Sequence, residues 1–371
     1  MDYLPYSEDI EVIGPDEAAL IEQVVASMQR LGAMVFDKHR HAMRNAHAKS
    51  HGILRGTLSV PSDLPEHLRQ GLFASPGSYP VVVRLSSAPG DIYGDEIPAP
   101  KGMAIKVIGV QGRKLLAGHE DALTQDFLLA NHNVLPFGTI DAYWKVEQLR
   151  EAHARDGEPL QQTGASFASG LVKLLDAAGI DRALLPSHSL ANHHILGETF
   201  HSMAALRFGR YVAKISVAPL STPVRSLTGQ TYDPAEAPSI LRDQVLRFFR
   251  HQGAEYELRA QLCTDLESMP VEDASVPWLE AKSPQQPVAR IILPPQDAYS
   301  AQRQVYADEV LSFNPWHCLP EHRPLGSIMR VRQAAYAASS AYRHAMTASR
   351  RWNLAAGPMC PFERTKNLME F

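Results

Sequence analysis

Residues 311–345 read LSFNPWHCLPEHRPLGSIMRVRQAAYAASSAYRHA. After Gly326 the stretch contains neither Gly nor Pro, which predicts a helix over about 327–351. On such a helix Arg332, Tyr336 and Arg343 stand at i, i+4 and i+11, roughly on one face. A tyrosine hydroxyl has a pKa near 10 and is a poor metal ligand while protonated. A guanidinium one turn away favours the phenolate, so Arg332 beside Tyr336 suits a tyrosinate bound to ferric iron. An amphipathic helix with its tyrosine on the core and its arginines in water has the same spacing, so the helix alone leaves both readings open.

The rest of the chain points to a barrel. Runs rich in β-branched or aromatic residues fall at 53–60, 81–87, 102–109, 126–131, 204–209, 211–217, 255–263 and 288–294, with Pro, Gly or Asp between them. A first helix is expected from Asp16 to Leu31, after Pro15 and before Gly32, followed by a basic, His-rich arm. Further helices are expected near 140–153, 165–178 and 235–251. Strands in the first two-thirds, inserted helices and a helical tail predict an α+β chain built on an antiparallel β-barrel. No repeat or linker divides it, so residues 1–371 read as one domain: an N-terminal helix and arm (1–45), the barrel (46–300) and a C-terminal helical segment (301–371).

Composition narrows the function. With 36 Lys and Arg against 40 Asp and Glu the net charge is −4, which argues against nucleic acid as the main partner. Cys263, Cys318 and Cys360 are odd in number and widely spaced, so neither a disulfide framework nor a zinc ribbon is indicated. The start, MDYLPYSEDIEVIG, lacks the basic and apolar regions of a signal peptide, and no apolar run approaches the ~20 residues of a membrane span. A cytoplasmic location is the expectation. His193, His194 and His201 lie in a His-rich stretch (188–202) without H-E-x-x-H spacing, which reads as a loop or barrel rim rather than a metal site.

Three further segments carry chemistry: RNAHAKSHG (44–52), RLSS (84–87) and DFLLANHNV (126–134). In the C-terminal stretch, Phe313-Asn314-Pro315 and a proline-rich turn (Pro320–Pro324) precede Arg332-x-x-x-Tyr336, and Arg343 lies seven residues beyond. In this order, across residues 44 to 343, the segments resemble the haem catalase superfamily, in particular its small members called catalase-related peroxidases. The resemblance implies a catalase-like antiparallel barrel binding haem b (iron protoporphyrin IX), with Tyr336 as the axial iron ligand and Arg332 beside it. It implies a distal histidine, His47, hydrogen-bonded by Ser86, and a distal asparagine, Asn131. It also implies that Arg44, Arg84 and Arg343 hold the haem propionates.

These residue types suit peroxide chemistry. A neutral imidazole can take a proton from one peroxide oxygen and return it to the other, and a serine on its second nitrogen fixes the tautomer. An asparagine side chain can donate to the departing oxygen. Three arginines are a reasonable counter-charge for two buried carboxylates.

Departures from the family pattern shape the expected activity. Ser50 and His51 follow His47-Ala-Lys where large catalases have Gly; Ala46 stands where they have valine; Asn133 and Leu135 follow Asn131 in place of Pro and an aromatic. The length leaves no room for the C-terminal domain of large catalases. A roomier distal pocket favours a peroxidase that reduces hydrogen peroxide or organic hydroperoxides with an organic co-substrate, with weak catalase activity. The alternatives are hydroperoxide rearrangement, as in the allene oxide synthase relatives, and a non-catalytic haem carrier or sensor; an apo barrel that binds lipid would show no haem spectrum. A homodimer is among the assemblies that the resemblance implies.

Overall fold

Alternation along the strands decides which side of the sheet is core. In β2 (Gly77–Ser87), β3 (Lys101–Ile108) and β4 (Thr124–Ala130), Val83, Leu85, Met103, Ile105, Phe127 and Leu129 join one buried apolar cluster. The intervening Arg84, Ser86, Gly102, Ala104, Leu128 and Ala130 therefore face the other way, since successive side chains point to opposite faces. The computed structural model describes residues 2–155, 176–179 and 191–353. Its remaining strands are β1 (Ser50–Val60), β5 (Phe200–His201), β6 (Leu206–Phe208), β7 (Tyr211–Pro219), β8 (Ala254–Leu262) and β9 (Gln286–Leu293).

All pairings among these strands are antiparallel, in the order β4-β3-β2-β1-β9-β8-β7. The two-residue β5 closes the sheet into a barrel: His201 pairs with Ala130 of β4 and with Ser216 of β7. β6 adds a short hairpin to β7. Leu54, Leu58, Val217, Leu258 and Ile291 help to fill the interior with apolar side chains. This is the predicted α+β arrangement, and the strands match the predicted runs to within a few residues. β5 was not predicted; it lies in the His-rich stretch read as a loop or rim.

Among the described residues six helices lie outside or between strands: α1 (Glu17–His39), α2 (Ile140–Arg155), α3 (Thr222–Arg225), α4 (Ile240–Phe249), α5 (Ala301–Glu309) and α6 (Ser327–Asn353). α1 runs eight residues beyond the predicted end. Gly32 does not cap it; a Cβ there would come within 3.2 Å of the Asn45 side chain, so the glycine makes room for the arm. The left-handed cap is Arg40 (φ 52°), whose amide donates to Phe36 O. α5 was not predicted, and most of the helix expected at 165–178 lies outside the described residues. α1, α2 and α6 share a small core of Val24, Ile140 and Val331.

Candidate active site

The outer face of β2–β4 and one face of α6 enclose a cavity with about 840 Å3 of empty volume, part of it open to solvent. The helix contributes Arg332, Ala335, Tyr336, Ser339, Ser340 and Arg343, an unbroken stripe at helical spacing. The sheet contributes two ladder rows in register, Ser86–Gly102–Ala130 and Arg84–Ala104–Leu128. Ser86, Gly102, Ala104 and Ala130 on the sheet and Ala335, Ser339 and Ser340 on the helix are small, which leaves a slot suited to a flat ligand between the two.

α6 is fixed at its entrance. Arg330 is ion-paired to Glu17 of α1 and to Glu11, and reaches Glu272 at 2.9 Å. These hydrogen-bonded carboxylates raise its pKa further, outweighing the opposing effect of burial. Trp316 Nε1 donates to Met329 O at 2.8 Å. The FNPWH segment thus anchors the helix that carries Tyr336.

His47 enters from the arm before β1. Its φ of 57° is left-handed, a conformation that costs a non-glycine residue on the order of 1 kcal/mol and tends to persist at functional sites. Its amide donates to Ala88 O, and the next, Ala48, to Pro89 O, both at 2.9 Å. The ring Nδ1 lies 3.1 Å from Ser86 Oγ and rests on Gly102, where a Cβ would come within 2.5 Å of the ring. Burial first, then the positive charges of Arg84 and Arg332, pushes the His47 pKa down to about 3, so the imidazole is neutral at physiological pH.

Three guanidinium groups, Arg44, Arg84 and Arg343, cluster in the wall of the same cavity. Arg44 binds Asp308 Oδ1 (3.0 Å) and the carbonyls of Ala307 (2.5 Å) and Leu311 (2.8 Å). Arg343 donates to Asp308 O and, at 3.3 Å, to Leu311 O; Arg84 donates to Ala48 O at 3.0 Å. Arg84 and Arg343 are 2% and 3% exposed, and the Nε of each is buried without a partner among the described residues. Burial, then the like charge of Arg44, lowers the pKa of both, that of Arg343 to about 9.

Tyr336 lines the cavity from α6, one turn after Arg332, whose NH1 meets Met329 Sδ at 3.6 Å. Behind them Tyr143 of α2 has its pKa raised to about 12, by burial and then by Glu147. Thus His47, Ser86, Arg44, Arg84, Arg332, Tyr336 and Arg343 all line one cavity. Asn131 does not: it is 1% exposed, next to Ala130, and its Oδ1 accepts the Lys101 amide at 2.8 Å. In the structure its side-chain oxygen serves the end of the sheet.

Three solved structures with this architecture are catalases. The chain superposes on a fungal catalase (TM-score 0.60, 15% identity), on catalase A from Saccharomyces cerevisiae (0.62, 15%) and on a bacterial catalase (0.57, 16%), with 91–92% of its length covered. The fold is a catalase fold. The chain spans 64–67% of the length of those structures, about two-thirds. No family model matches the sequence, and no curated protein matches it.

On this catalase fold the residues present fit haem. Buried arginines with unpartnered Nε atoms are costly unless anions complete them, and haem carries two carboxylates. Gly102, Ala104 and Ala130 leave the flat wall a macrocycle needs. Other cavity residues escaped sequence reasoning. Gly102 could have been found as the one residue without a side chain in the strand paired to Ser86; Ser312, Met103 and Met203 carry no such signal. The His-rich stretch is divided between elements: His193 meets Glu198 at 3.6 Å, His194 Nδ1 accepts the Leu196 amide and His201 is in β5. Among the described residues no group of three His, Cys, Asp or Glu is placed to hold a metal ion.

Proposed function

We propose that this chain is a haem b peroxidase of the small catalase-related type, acting on hydrogen peroxide or organic hydroperoxides with an organic co-substrate. The observation that carries the reading is the cavity itself: a neutral histidine held by a serine on the sheet side, a tyrosine on the helix side and a cluster of arginines in its wall. Tyr336 would be the axial ligand, Arg332 its neighbouring charge, and Arg84 and Arg343, with Arg44 behind them, would hold the propionates. When bound, haem supplies the iron and the redox capacity for breaking an O–O bond.

The protein's part is proton transfer and orientation. Ser86 occupies Nδ1 of His47, so the other ring nitrogen is the one that exchanges a proton with peroxide. Burial, then Arg84 and Arg332, lowers the His47 pKa to about 3, so its ring is unprotonated throughout the physiological range and has a free nitrogen to accept a proton. It accepts the proton from the oxygen that stays and returns it to the oxygen that leaves. Asn131 would contribute at the same end, provided its amide nitrogen turns to the cavity. Ala46 is exposed and lines the cavity, which leaves the distal side open to substrates larger than hydrogen peroxide. The same openness suits the second reading, rearrangement of an organic hydroperoxide.

The test is peroxide consumption by the purified protein with and without a phenolic reductant. His47→Ala should slow it by ~10²–10⁴-fold, the usual loss for an acid–base group. An unaltered rate in that variant, at equal haem content, would overturn the proposal.

A further inference from the structure

Met203 holds a backbone conformation that few side chains tolerate. It lies in the short connection between β5 and β6 with φ 62°, and the Ala204 amide donates to Ser202 O across it at 2.7 Å. A positive φ spanned by an i to i+2 hydrogen bond makes the form of γ-turn that is rare and strained. In a residue as bulky as methionine, such strain persists only where the surroundings over-determine it. Here they do. The Ser202 amide donates to Ile215 O at 2.8 Å, the Ile215 amide to Ser202 Oγ at 3.1 Å, and Ser202 Oγ to Ala204 O at 2.9 Å. The residue at the apex of this turn lines the candidate active-site cavity and is 6% exposed. It belongs to one apolar cluster with Ala130, at the end of β4, and with Ile328 and Met329 in the first turn of α6. Met329 accepts Arg332 NH1 on its sulfur and Trp316 Nε1 on its carbonyl, so this cluster supports the start of the helix that carries Tyr336. Met28 and Met103 also line the cavity, but they sit within α1 and β3, in regular backbone.

We propose that Met203 is an oxidation site: peroxide admitted to the cavity converts its thioether to the sulfoxide, and the change loosens the start of α6. The inference rests on the peroxidase reading and adds to it the means by which excess peroxide ends the activity. The sulfur lone pair attacks one peroxide oxygen, and an S–O bond forms as the O–O bond breaks. The proton on the attacked oxygen passes to the oxygen that leaves, as water or as an alcohol. Sulfur is oxidised by two electrons and the peroxide is reduced by two, so no further reactant is needed. The sulfoxide is polar and finds no apolar place among Ala130, Ile328 and Met329. Once its apex loses that packing, the strained turn has less to hold it. Arg332 and Tyr336 then lose the support beneath them.

The experiment treats the haem-loaded protein with hydrogen peroxide in the absence of a reductant and follows each methionine by mass spectrometry of digests as activity declines. Met203 should gain one oxygen about 10-fold faster than Met34, an exposed methionine of α1 that reports on peroxide in bulk solution. Haem release to apomyoglobin should rise in step with that sulfoxide. Met203→Leu conserves volume, so it should keep the initial rate and lose activity several-fold more slowly under the same peroxide. Met203→Gln places a polar group in the same cluster and should release haem about 10-fold faster with no peroxide added, as for one poorly satisfied buried polar group. If Met203→Gln does not fold, the comparison of Met203→Leu with wild type decides. Met203 still unoxidised when half the activity is gone, or a Met203→Leu protein inactivated as fast as wild type, would overturn the proposal. A wild-type protein that shows no Soret band when haem is supplied would instead refute the haem reading, and the proposal with it.

Discussion

Replacing Gly102 by alanine adds one methyl group at the point where the sheet touches His47. Built on the existing backbone, that Cβ lies 2.5 Å from Cε1 and 2.6 Å from Nδ1 of the ring, and 3.2 Å from Ser86 Oγ. Ordinary contact begins at 3.4 Å, so the ring or the strand must move by about 0.9 Å. β3 is paired on both sides, with β2 and β4, and does not yield easily. The imidazole is the part that moves, and the 3.1 Å bond to Ser86 lengthens past hydrogen-bonding range. Overpacking of this kind costs ~1–3 kcal/mol of stability, while a displacement of about 1 Å at a reacting group can cost about 10²-fold in rate. The expected outcome is a folded protein that keeps its haem and consumes peroxide about 100-fold more slowly. Rates are measured at matched haem content, with the thermal midpoint as a control. Full activity in Gly102→Ala with haem still bound would show that the position of His47 against the sheet does not govern the reaction.

Acid should destabilise the fold through buried neutral histidines. Burial holds His194 and His322 at pKa values of about 4, against 6.5 unfolded. Because the folded values are lowered, the unfolded chain binds the protons, so stability is full above pH 6.5 and is lost as pH falls towards 4. Between pH 7 and 5.5 the two groups together remove roughly 2–3 kcal/mol, which should appear as a lower urea midpoint; an unchanged midpoint would contradict their burial. Ala46→Val should narrow the open side of the cavity and shift the balance from alkyl hydroperoxides towards hydrogen peroxide, and no change in that ratio would remove Ala46 from the access route. Arg332→Leu should keep the fold, since its side-chain contact is Met329 Sδ, but release haem ~10-fold faster to apomyoglobin; an unaltered rate would deny it a role beside Tyr336.

The barrel was legible in the sequence because each long strand carries its own alternation and its own turn signals. β5 was not, because two residues hold no period; yet that pair closes the sheet. α5 hid for a related reason: AQRQVYADE is short and mostly polar, and its sign was the cap Ser300, whose side chain accepts the Arg303 amide. Missing α5 also hid Asp308, so the arginines read as three free cations. The helix stripe Arg332–Tyr336–Arg343 was visible because 3.6-residue periodicity links sequence spacing to one face. Asn131 shows the limit. Its position beside the site follows from the end of β4, but which way an amide points is set by the local hydrogen bonds, here the Lys101 amide, and spacing does not encode them.

The central claim, a haem held by Tyr336 in the slot between α6 and the sheet, is tested most directly by the visible absorption spectrum of the purified protein alongside Tyr336→Phe. The account predicts a Soret band with haem b near one per chain, and in the variant either loss of haem or a marked change in the spectrum. A wild-type protein without a Soret band when haem is supplied, or a Tyr336→Phe spectrum identical to wild type, would contradict it.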